Sequence, residues 1–322
     1  MDVGLTTTER HMGPALILFL SACQLDGQNP SEVIPPPPRA APAPPPPEGS
    51  VRLLPRYPEG RFVLASLEGE TRIRVRSGSS SKHTMTWRGS SRVGRDEQGR
   101  AAVTTTFGEY AASGYGPRGR YRYDSTSGEA IPDGAPDVAH VWTALRGMSV
   151  TTVMSDGGEL LEAAGTDALR EAALAAIAGP MSGARRLALA EIFSDRGYER
   201  AVTWSSGYLA PGHVLPGDTW SDTVVLGLPF LSDVTVPRTF TLKRLERRGD
   251  RQVAVIGFEG DLETDDARIR RLSISGLFHF DLGYGEVTYE SGNRALEMNV
   301  SDNEFDIRTS YELTAEIIDQ PG

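Results

Sequence analysis

Short apolar or β-branched runs separated by glycine-containing turns make up most of the chain after residue 50. Runs of this kind, whose side chains alternate between two faces, are typical of β strands. Clear examples are 101–111, 149–154 and 252–262. Compact turns at 155–158 and 247–250 connect neighbouring runs, and such short connections favour antiparallel pairing. We therefore expect a mainly β fold with a large antiparallel sheet, of half-barrel or sandwich type.

Further strands follow from the same pattern. A turn at Glu68-Gly69 is predicted to separate strands at 61–67 and 70–76. The remaining strands are predicted at 159–163, 220–226, 239–247, 269–280, 286–289, 295–300 and 305–318.

One segment interrupts the strands with helical signals. Thr166-Asp167 is a suitable start for a helix that ends before Gly179-Pro180, and Ser182 is a suitable cap for a second helix at 184–196. We predict a helical hairpin near 166–196, inserted in the sheet-forming sequence. The glycine- and charge-rich segment 115–137 is predicted to be a surface loop.

The first 23 residues carry a targeting signal. The apolar run Ala15–Leu20 is far too short to span a bilayer, which takes ~20 residues, but it fits a secretory signal with Arg10 as its basic flank. It leads into Leu20-Ser21-Ala22-Cys23, which contains the only cysteine of the chain. This tetrapeptide resembles the lipobox of bacterial lipoproteins. The resemblance implies a signal peptide at 1–22, cleavage before Cys23 and lipidation of Cys23, which would anchor the protein to a membrane.

The resemblance also implies a location. In Gram-negative lipoproteins an aspartate after the cysteine commonly retains the protein at the inner membrane, whereas this chain has Gln24. We therefore expect export across the inner membrane and anchoring at the outer membrane, facing the periplasm or the surface.

Residues 23–50 are predicted to be a tether. Asn29–Pro47 contains ten prolines, and proline lacks the N–H that helices and sheets require. The segment should form an extended polyproline II spacer of roughly 60 Å at ~3.1 Å per residue. A docking motif for a PxxP-reading domain is the alternative, but a lipid at one end and a domain at the other already explain a spacer.

The rest, 51–322, is predicted to be a single β-rich domain. Within it, Gly217-Asp218-Thr219-Trp220 is similar to an element of uncharacterised secreted bacterial β-rich domains, in which a Gly-Asp-x-Trp turn opens a strand. Gly217 permits the turn, Asp218 can bond the nearby backbone, and Trp220 is expected to anchor the core. The resemblance implies fold and location, and no activity.

Composition and motifs narrow the possible chemistry. The chain has 33 basic and 43 acidic residues, a formal net charge of −10, which argues against nucleic acid as a partner. A single cysteine excludes an internal disulfide and a cysteine-based metal cluster. The G-x-G-x-x-G match at 114–119 precedes a strand-like run instead of a helix, so it does not indicate a dinucleotide site. We predict no catalytic, cofactor or metal residues.

Three functions are compatible with these features. The first is a non-enzymatic binding or structural module, anchored through lipidated Cys23, whose partner is an envelope protein. The second is a carrier of lipid or another apolar ligand in a half-barrel cavity. The third is a hydrolase whose active-site residues are dispersed along the sequence. A deep apolar cavity would favour the carrier, a polar cleft with perturbed carboxylates or histidines the enzyme, and a flat polar surface the module.

Overall fold

The structure of the chain is a computed structural model that describes residues 46–177, 190, 192–195, 197, 209–226, 234–262, 266–300 and 303–318. Three predicted features lie outside these residues: the signal segment 1–22, Cys23 and the tether up to residue 45. Most of the predicted second helix, 184–196, lies outside them as well.

In the part of the chain that the structure describes, twelve strands form one antiparallel sheet, which confirms the predicted mainly β fold. The strands are β2 (Phe62–Val75), β3 (Ser80–Arg95), β4 (Ala101–Gly116), β5 (Gly119–Asp124), β6 (Ser149–Met154), β7 (Leu160–Ala164), β9 (Thr219–Leu226), β10 (Val234–Arg248), β11 (Arg251–Asp261), β12 (Ile269–Asp281), β13 (Glu286–Val300) and β14 (Asn303–Ile318). A separate two-stranded ribbon pairs β1 (Val51–Arg52) with β8 (His213–Val214).

The order of the strands shows how the chain builds the sheet. They follow one another as β7-β6-β4-β3-β2-β14-β13-β12-β11-β10-β9, and β5 pairs with part of β4. The central pair therefore joins β2, the first strand of the sheet along the chain, to β14, the last one. Phe62 lies opposite Ile318 at one end of this pair, and Val75 lies opposite Phe305 at the other. Hairpins extend the sheet on both sides of this pair. Among the described strands the sheet is open, with β7 and β9 as the ends of the path.

Two helices have bounds within the described residues, and they accompany the sheet. Helix α1 is Asp137–Leu145, and helix α2 is Thr166–Ala176, which begins where the sequence predicts it. The helices pack against each other; α1 also packs on β4, and α2 on β6. Helix α1 was not predicted, and it follows Pro136 at the end of the segment predicted as a loop. That segment also contains β5, whose residues pair with β4 from Ala111 to Gly116.

The turn predicted at Glu68-Gly69 is wrong. Strand β2 continues through both residues, which lie opposite Glu312 and Tyr311 on β14. Likewise, the two short strands predicted between 286 and 300 are one strand, β13. The turns at 155–158 and 247–250 are confirmed, and Gly158 and Gly249 adopt positive φ values there (88° and 65°).

One face of the sheet, called the inner face here, carries the core. Alternation along each strand places the apolar side chains on this face, where they form three clusters. The helix-covered cluster lies under α1 and α2 and includes Phe107, Tyr110 and Trp142. The aliphatic and aromatic clusters lie on the same inner face, in the part of the sheet formed by β9 to β14. The aliphatic cluster contains Val224, Val234, Val236, Ile269, Leu272, Ile274, Leu296 and Ile307, and the aromatic cluster includes Phe240, Phe258, Phe278 and Phe280.

Candidate functional site

A row of polar residues and glycines crosses the inner face from one strand to the next. Each member lies directly opposite the next across a strand pair, so the row runs through ten strands. We call it the inner polar row. In order it consists of Asp222, Arg238, Gly260, Ile274, Arg294, Thr309, Thr71, His83, Gly114 and Tyr121. Ile274 is its only apolar side chain. Such a row on a buried face is unusual, because burying polar groups costs free energy unless they are paired.

Polar members of the row lie within hydrogen-bonding distance of one another at several points. The Thr71 and Thr309 hydroxyls are 3.3 Å apart, and Nδ1 of His83 is 2.8 Å from the Tyr121 hydroxyl. Burial lowers the pKa of His83 to about 4, so this ring is neutral at physiological pH. The strands thus present cross-strand polar pairs in a place where most sheets have apolar contacts.

The charged members are concentrated at one end of the row. Arg238 on β10 is completely buried and donates two hydrogen bonds to Asp222 on β9, from Nε to Oδ1 (2.9 Å) and from Nη2 to Oδ2 (2.5 Å). This bidentate geometry is the strong form of an arginine–carboxylate pair. Asp222 keeps 25% of its side-chain area exposed, so the pair reaches solvent at the β9 end of the sheet.

A second ionic group lies beside this pair on β13 and β14. The Tyr311 hydroxyl donates to Oε1 of Glu290 at 2.5 Å, and Tyr311 lies opposite Gly292, between Glu290 and Arg294 along β13. The ring of Tyr311 fills the place where a Cβ on Gly292 would lie, 2.5 Å from the nearest ring carbon. Gly292 is therefore what allows this ring to lie close to the strand.

Burial changes the acid–base properties of this group. It raises the pKa of the Glu290 carboxyl and lowers the pKa of Arg294 to about 10. The positive charges of Arg238 and Arg294 act against the Glu290 shift, and the charge of Arg238 contributes to the lowered pKa of Arg294. Charges on β10 and β13 thus interact although β11 and β12 lie between them, a span of ~14 Å in a flat sheet.

These five residues form what we call the charged layer: Asp222, Arg238, Glu290, Arg294 and Tyr311. The layer separates the aliphatic cluster from the aromatic cluster. Strand β10 shows the arrangement most directly, because Val236, Arg238 and Phe240 alternate on its inner face. Strand β9 has the same order, with Val224, Asp222 and Trp220. Chemically, the layer provides two cations and two carboxylates in apolar surroundings.

The opposite, outer face carries an open groove across β14, β2, β3, β4 and β5. Its volume is about 810 Å³. Its exposed walls are charged, with Glu68, Arg122, Asp124 and Glu312, whereas small residues such as Ser310 lie between them. Salt bridges lie at its border: Glu70 accepts from Lys82 Nζ at 2.8 Å and from Arg72 Nε at 2.6 Å. We call this the outer groove.

The residues of the Gly-Asp-x-Trp element lie at the start of β9. Gly217 has a positive φ of 99°, and its N–H donates to the Leu242 carbonyl. Oδ2 of Asp218 accepts from the Leu215 N–H at 2.8 Å, which closes the turn. The Trp220 ring stacks on Phe240 at 5.8 Å between centroids and packs against the aromatic cluster. A shallow pocket of about 560 Å³ lies over this turn.

The part of the chain that the structure covers holds no group of three or more histidine, cysteine, aspartate or glutamate residues that could bind a metal ion. No helix in the described ranges is long and apolar enough to cross a bilayer.

Sequence reasoning missed the inner polar row and the charged layer. Glu290 and Arg294 lie between the strands predicted at 286–289 and 295–300, and Arg238 lies just before the strand predicted at 239–247. The available signal was an arginine or glutamate at an inward position of an otherwise apolar alternation, as in Val234-x-Val236-x-Arg238-x-Phe240.

Comparisons with known proteins give a limited result. No family model matches the chain, and no curated protein matches it. Among solved structures, one of lipovitellin, described for its lipid–protein interactions, is 11% identical with a TM-score of 0.46, covering 83% of this chain. This chain spans only 26% of that lipovitellin chain. The β domain of the Bordetella autotransporter Brka is 9% identical with a TM-score of 0.20, covering 80% of this chain and 99% of that one. Similarity at these levels carries no functional conclusion.

Proposed function

We propose that this chain is a lipid-anchored bacterial envelope protein whose sheet acts as a binding module at the end of a proline tether. The Leu20-Ser21-Ala22-Cys23 box supports the anchor, and Asn29–Pro47 supports the tether. The first folded residues support the connection between the two. Val51–Arg52 pairs with β8, and Leu53 is buried in the aromatic cluster, so the tether joins the fold beside the Gly-Asp-x-Trp turn.

The outer groove is the observation that carries the binding function. It crosses five strands of a sheet whose other face is occupied by the core, so its shape is fixed by the backbone of the sheet. It is open, shallow and lined by charged side chains, which suits an envelope protein as partner better than a buried small molecule.

The anchor is tested by labelling. The wild-type protein should partition into detergent and incorporate labelled fatty acid, whereas Cys23→Ala should do neither. Stable anchoring is expected to need the acyl groups of a mature lipoprotein, since a single chain binds only marginally. Equal labelling of the two proteins would exclude the lipoprotein function. Retention of the wild type in the inner-membrane fraction would exclude the outer-membrane location.

The groove is tested by photocrosslinking in cells. A photoreactive amino acid at Ser310, inside the groove, should give a discrete crosslinked product. The same amino acid at Glu316, exposed on the same strand but outside the groove, is the matched control and should not. Identical patterns from both positions, or none from either, would contradict binding at the groove.

A carrier of an amphipathic ligand is the second candidate, and the charged layer favours it. A half-barrel with apolar clusters on both sides of a charged layer matches the chemistry of a ligand that has a polar head and an apolar chain. Protein purified from its native host should then contain extractable lipid by mass spectrometry and bind an apolar fluorescent probe saturably. Well-folded protein with neither property would contradict a carrier.

A further inference from the structure

We propose that the outer groove is a self-association surface, on which a second copy of this chain packs face to face with the first. This inference rests on the groove binding proposed above, and it identifies the partner. The observation that carries it is a pattern of charges on the outer face, where an acidic row and a basic row run side by side across five strands. Two copies related by a two-fold axis place the acidic row of one copy on the basic row of the other.

The two rows follow from the register of the strands. Each row takes one residue from β14, β2, β3, β4 and β5, and its members lie directly opposite one another across the strand pairs. The acidic row is Glu312, Glu68, Thr86, Ala111 and Asp124, and the basic row is Arg308, Arg72, Lys82, Tyr115 and Arg120. Each row is about 19 Å long, because adjacent strands are ~4.8 Å apart, and four residues along each strand, about 13 Å, separate the two rows.

Each row places like charges side by side. Glu68 lies directly opposite Glu312, and both residues are exposed. Arg72 lies directly opposite Arg308, and these two residues are exposed as well. Like charges that lie directly opposite each other destabilise a sheet. A second copy that brings the opposite charge to each row relieves both repulsions, so charge complementarity favours this partner.

A two-fold axis midway between the rows brings the opposite charges together. The axis follows a middle row, which consists of Ser310, Glu70, Thr84, Ser113 and Arg122. Rotation about it keeps each strand over its own copy and exchanges the acidic row with the basic row. The charged pairs formed between the two copies are then Glu68 with Arg72, Glu312 with Arg308 and Asp124 with Arg120. A contact of this kind is isologous and closes as a dimer.

The outer groove provides room for the basic side chains of the second copy. The acidic row and the middle row both line the groove, whose volume is about 810 Å³. Small residues such as Ala111, Ser113 and Ser310 leave it open. Because the rotation places the basic row of the second copy over the acidic row, its arginine side chains reach into this space.

The arginines of the basic row can form these new contacts. Arg72 donates to Glu70 through Nε, and Arg308 donates to Asp306 through Nε, whereas a guanidinium has five N–H donors. The side chains of Arg72 and Arg308 are 58% and 64% exposed, and ion pairs at such positions contribute little to stability. Contacts with a second copy therefore cost little within each chain.

Residues of the middle row meet their own copies at the axis. Three of the five are serine or threonine, which are small and uncharged. Glu70 is paired within its own chain with Nζ of Lys82 at 2.8 Å and with Nε of Arg72 at 2.6 Å. Arg122 lies two residues from Asp124 on the same face of β5, so a carboxylate of its own chain balances it. The axis thus brings together no uncompensated charge.

The dimer is tested by photocrosslinking in cells that express two copies of the full-length protein with different epitope tags. The patch between the rows is smaller than the ~800 Å² per partner of a stable interface, so the dimer is expected to be weak, and a crosslink captures it. A photoreactive amino acid at Ser310, in the middle row, should give a product that has twice the mass of the chain and carries both tags.

Charge reversals test the pairing of the rows. Glu68→Arg in both copies should lower the yield of the double-mass product at least about tenfold, because two-fold symmetry turns one substitution into two repulsive contacts. Arg72→Glu in both copies should have the same effect. Glu316→Arg, the same reversal at an exposed residue of the outer face beyond the rows, is the matched control and should leave the yield unchanged.

A mixture of the two variants distinguishes contact between copies from an effect within one chain. When one copy carries Glu68→Arg and the other carries Arg72→Glu, each new charge faces its opposite, and the double-mass product should return. Residues 68 and 72 are about 13 Å apart on one strand, so no direct contact within a chain can account for this rescue. Thermal unfolding shows whether each variant is folded. If either one is not, Glu312→Arg and Arg308→Glu replace the pair.

The outcomes separate this inference from the proposed function. A crosslinked product of another mass would overturn the dimer and leave the groove as the binding site of a different envelope protein. The absence of any product from Ser310 would overturn the dimer and the groove binding together. Failure of the mixed, folded variants to restore the double-mass product would overturn the pairing of the rows, and with it the dimer.

Discussion

The pH dependence of stability should show that the inner polar row is desolvated at His83. Burial lowers the pKa of this histidine from 6.5 to about 4 in the folded protein. A depressed pKa means that the folded state favours the neutral ring, so the stabilising contribution is complete above pH 6.5 and is lost as the pH falls towards 4. We therefore expect the wild type to lose free energy of unfolding over this range relative to a variant without the imidazole, His83→Gln.

The magnitude follows from the size of the shift. A shift of about 2.5 pKa units corresponds to roughly 3.4 kcal/mol at ~1.36 kcal/mol per unit. Because the ring is only half-buried, solvent screening reduces this to about 1.5 kcal/mol. Burial raises the pKa of Glu286 and Glu290, so their contributions grow as the pH falls and oppose the effect of His83. They cancel when the variant is compared with the wild type at each pH.

The assay is chemical denaturation followed by tryptophan fluorescence between pH 4 and pH 7. The difference in unfolding free energy between wild type and His83→Gln should shrink by about 1.5 kcal/mol from pH 6.5 to pH 4.5. The control Thr309→Val removes an uncharged member of the same row and should show a constant difference. If the difference in unfolding free energy between wild type and His83→Gln does not depend on pH, the ring is not desolvated. If that difference grows towards low pH, the pKa of His83 is raised by folding and the reasoning is wrong.

Three further predictions concern packing and boundaries. Gly276→Ala should destabilise the fold by about 1–3 kcal/mol in thermal unfolding, because its Cβ would lie 2.1 Å from a backbone oxygen of β13. Gly94→Ala is the control and should be close to neutral, because the atom nearest to its Cβ would be 3.8 Å away. Phe278→Ala should cost about 3–5 kcal/mol in denaturant unfolding, since its side chain is completely buried, whereas the neighbouring Leu277→Ala, 39% exposed, should cost less than about 1 kcal/mol. The fragment 51–322 should fold cooperatively with a β-rich circular dichroism spectrum, and an unfolded 51–322 beside a folded longer fragment would contradict the proposed domain boundary.

Local patterns predicted the strands better than they predicted the breaks between them. Strand β6 has the predicted bounds, 149–154, and the turn at 247–250 is where Gly249 requires it. The turn at Glu68-Gly69 was wrong because a glycine is compatible with a turn or with a strand interior, and only pairing with β14 decides between them. That partner is more than 200 residues away in the sequence.

Helix α1 was missed for a related reason. Its sequence, DVAHVWTAL, is rich in β-branched and aromatic residues and has no side-chain cap, so local propensity does not favour a helix. Packing decides its conformation: Val138, Val141, Trp142 and Leu145 are buried in the helix-covered cluster, and the Trp142 ring stacks on Tyr110 of β4. Tertiary contacts of this kind override weak propensities.

The inner polar row was beyond sequence reasoning because it depends on register. Alternation shows which residues of one strand share a face, but it does not show which residue of the next strand lies opposite. Arg294, for example, meets Ile274 and Thr309 only because hairpins on both sides of β13 set those registers. A shift of one residue in either hairpin would take Arg294 out of the row.

Burying the charged layer costs free energy of folding. Buried ion pairs contribute little net stability, and well-packed apolar residues of similar size are often neutral or better. A core that served only to hold the sheet together would therefore gain by joining the aliphatic and aromatic clusters through apolar side chains at Arg238 and Arg294. The part of the sheet under the helices has such an apolar core, since Phe107 and Tyr110 both contact the ring of Trp142. Charges kept between two apolar clusters therefore contribute less to the stability of the sheet than well-packed apolar side chains at Arg238 and Arg294 would.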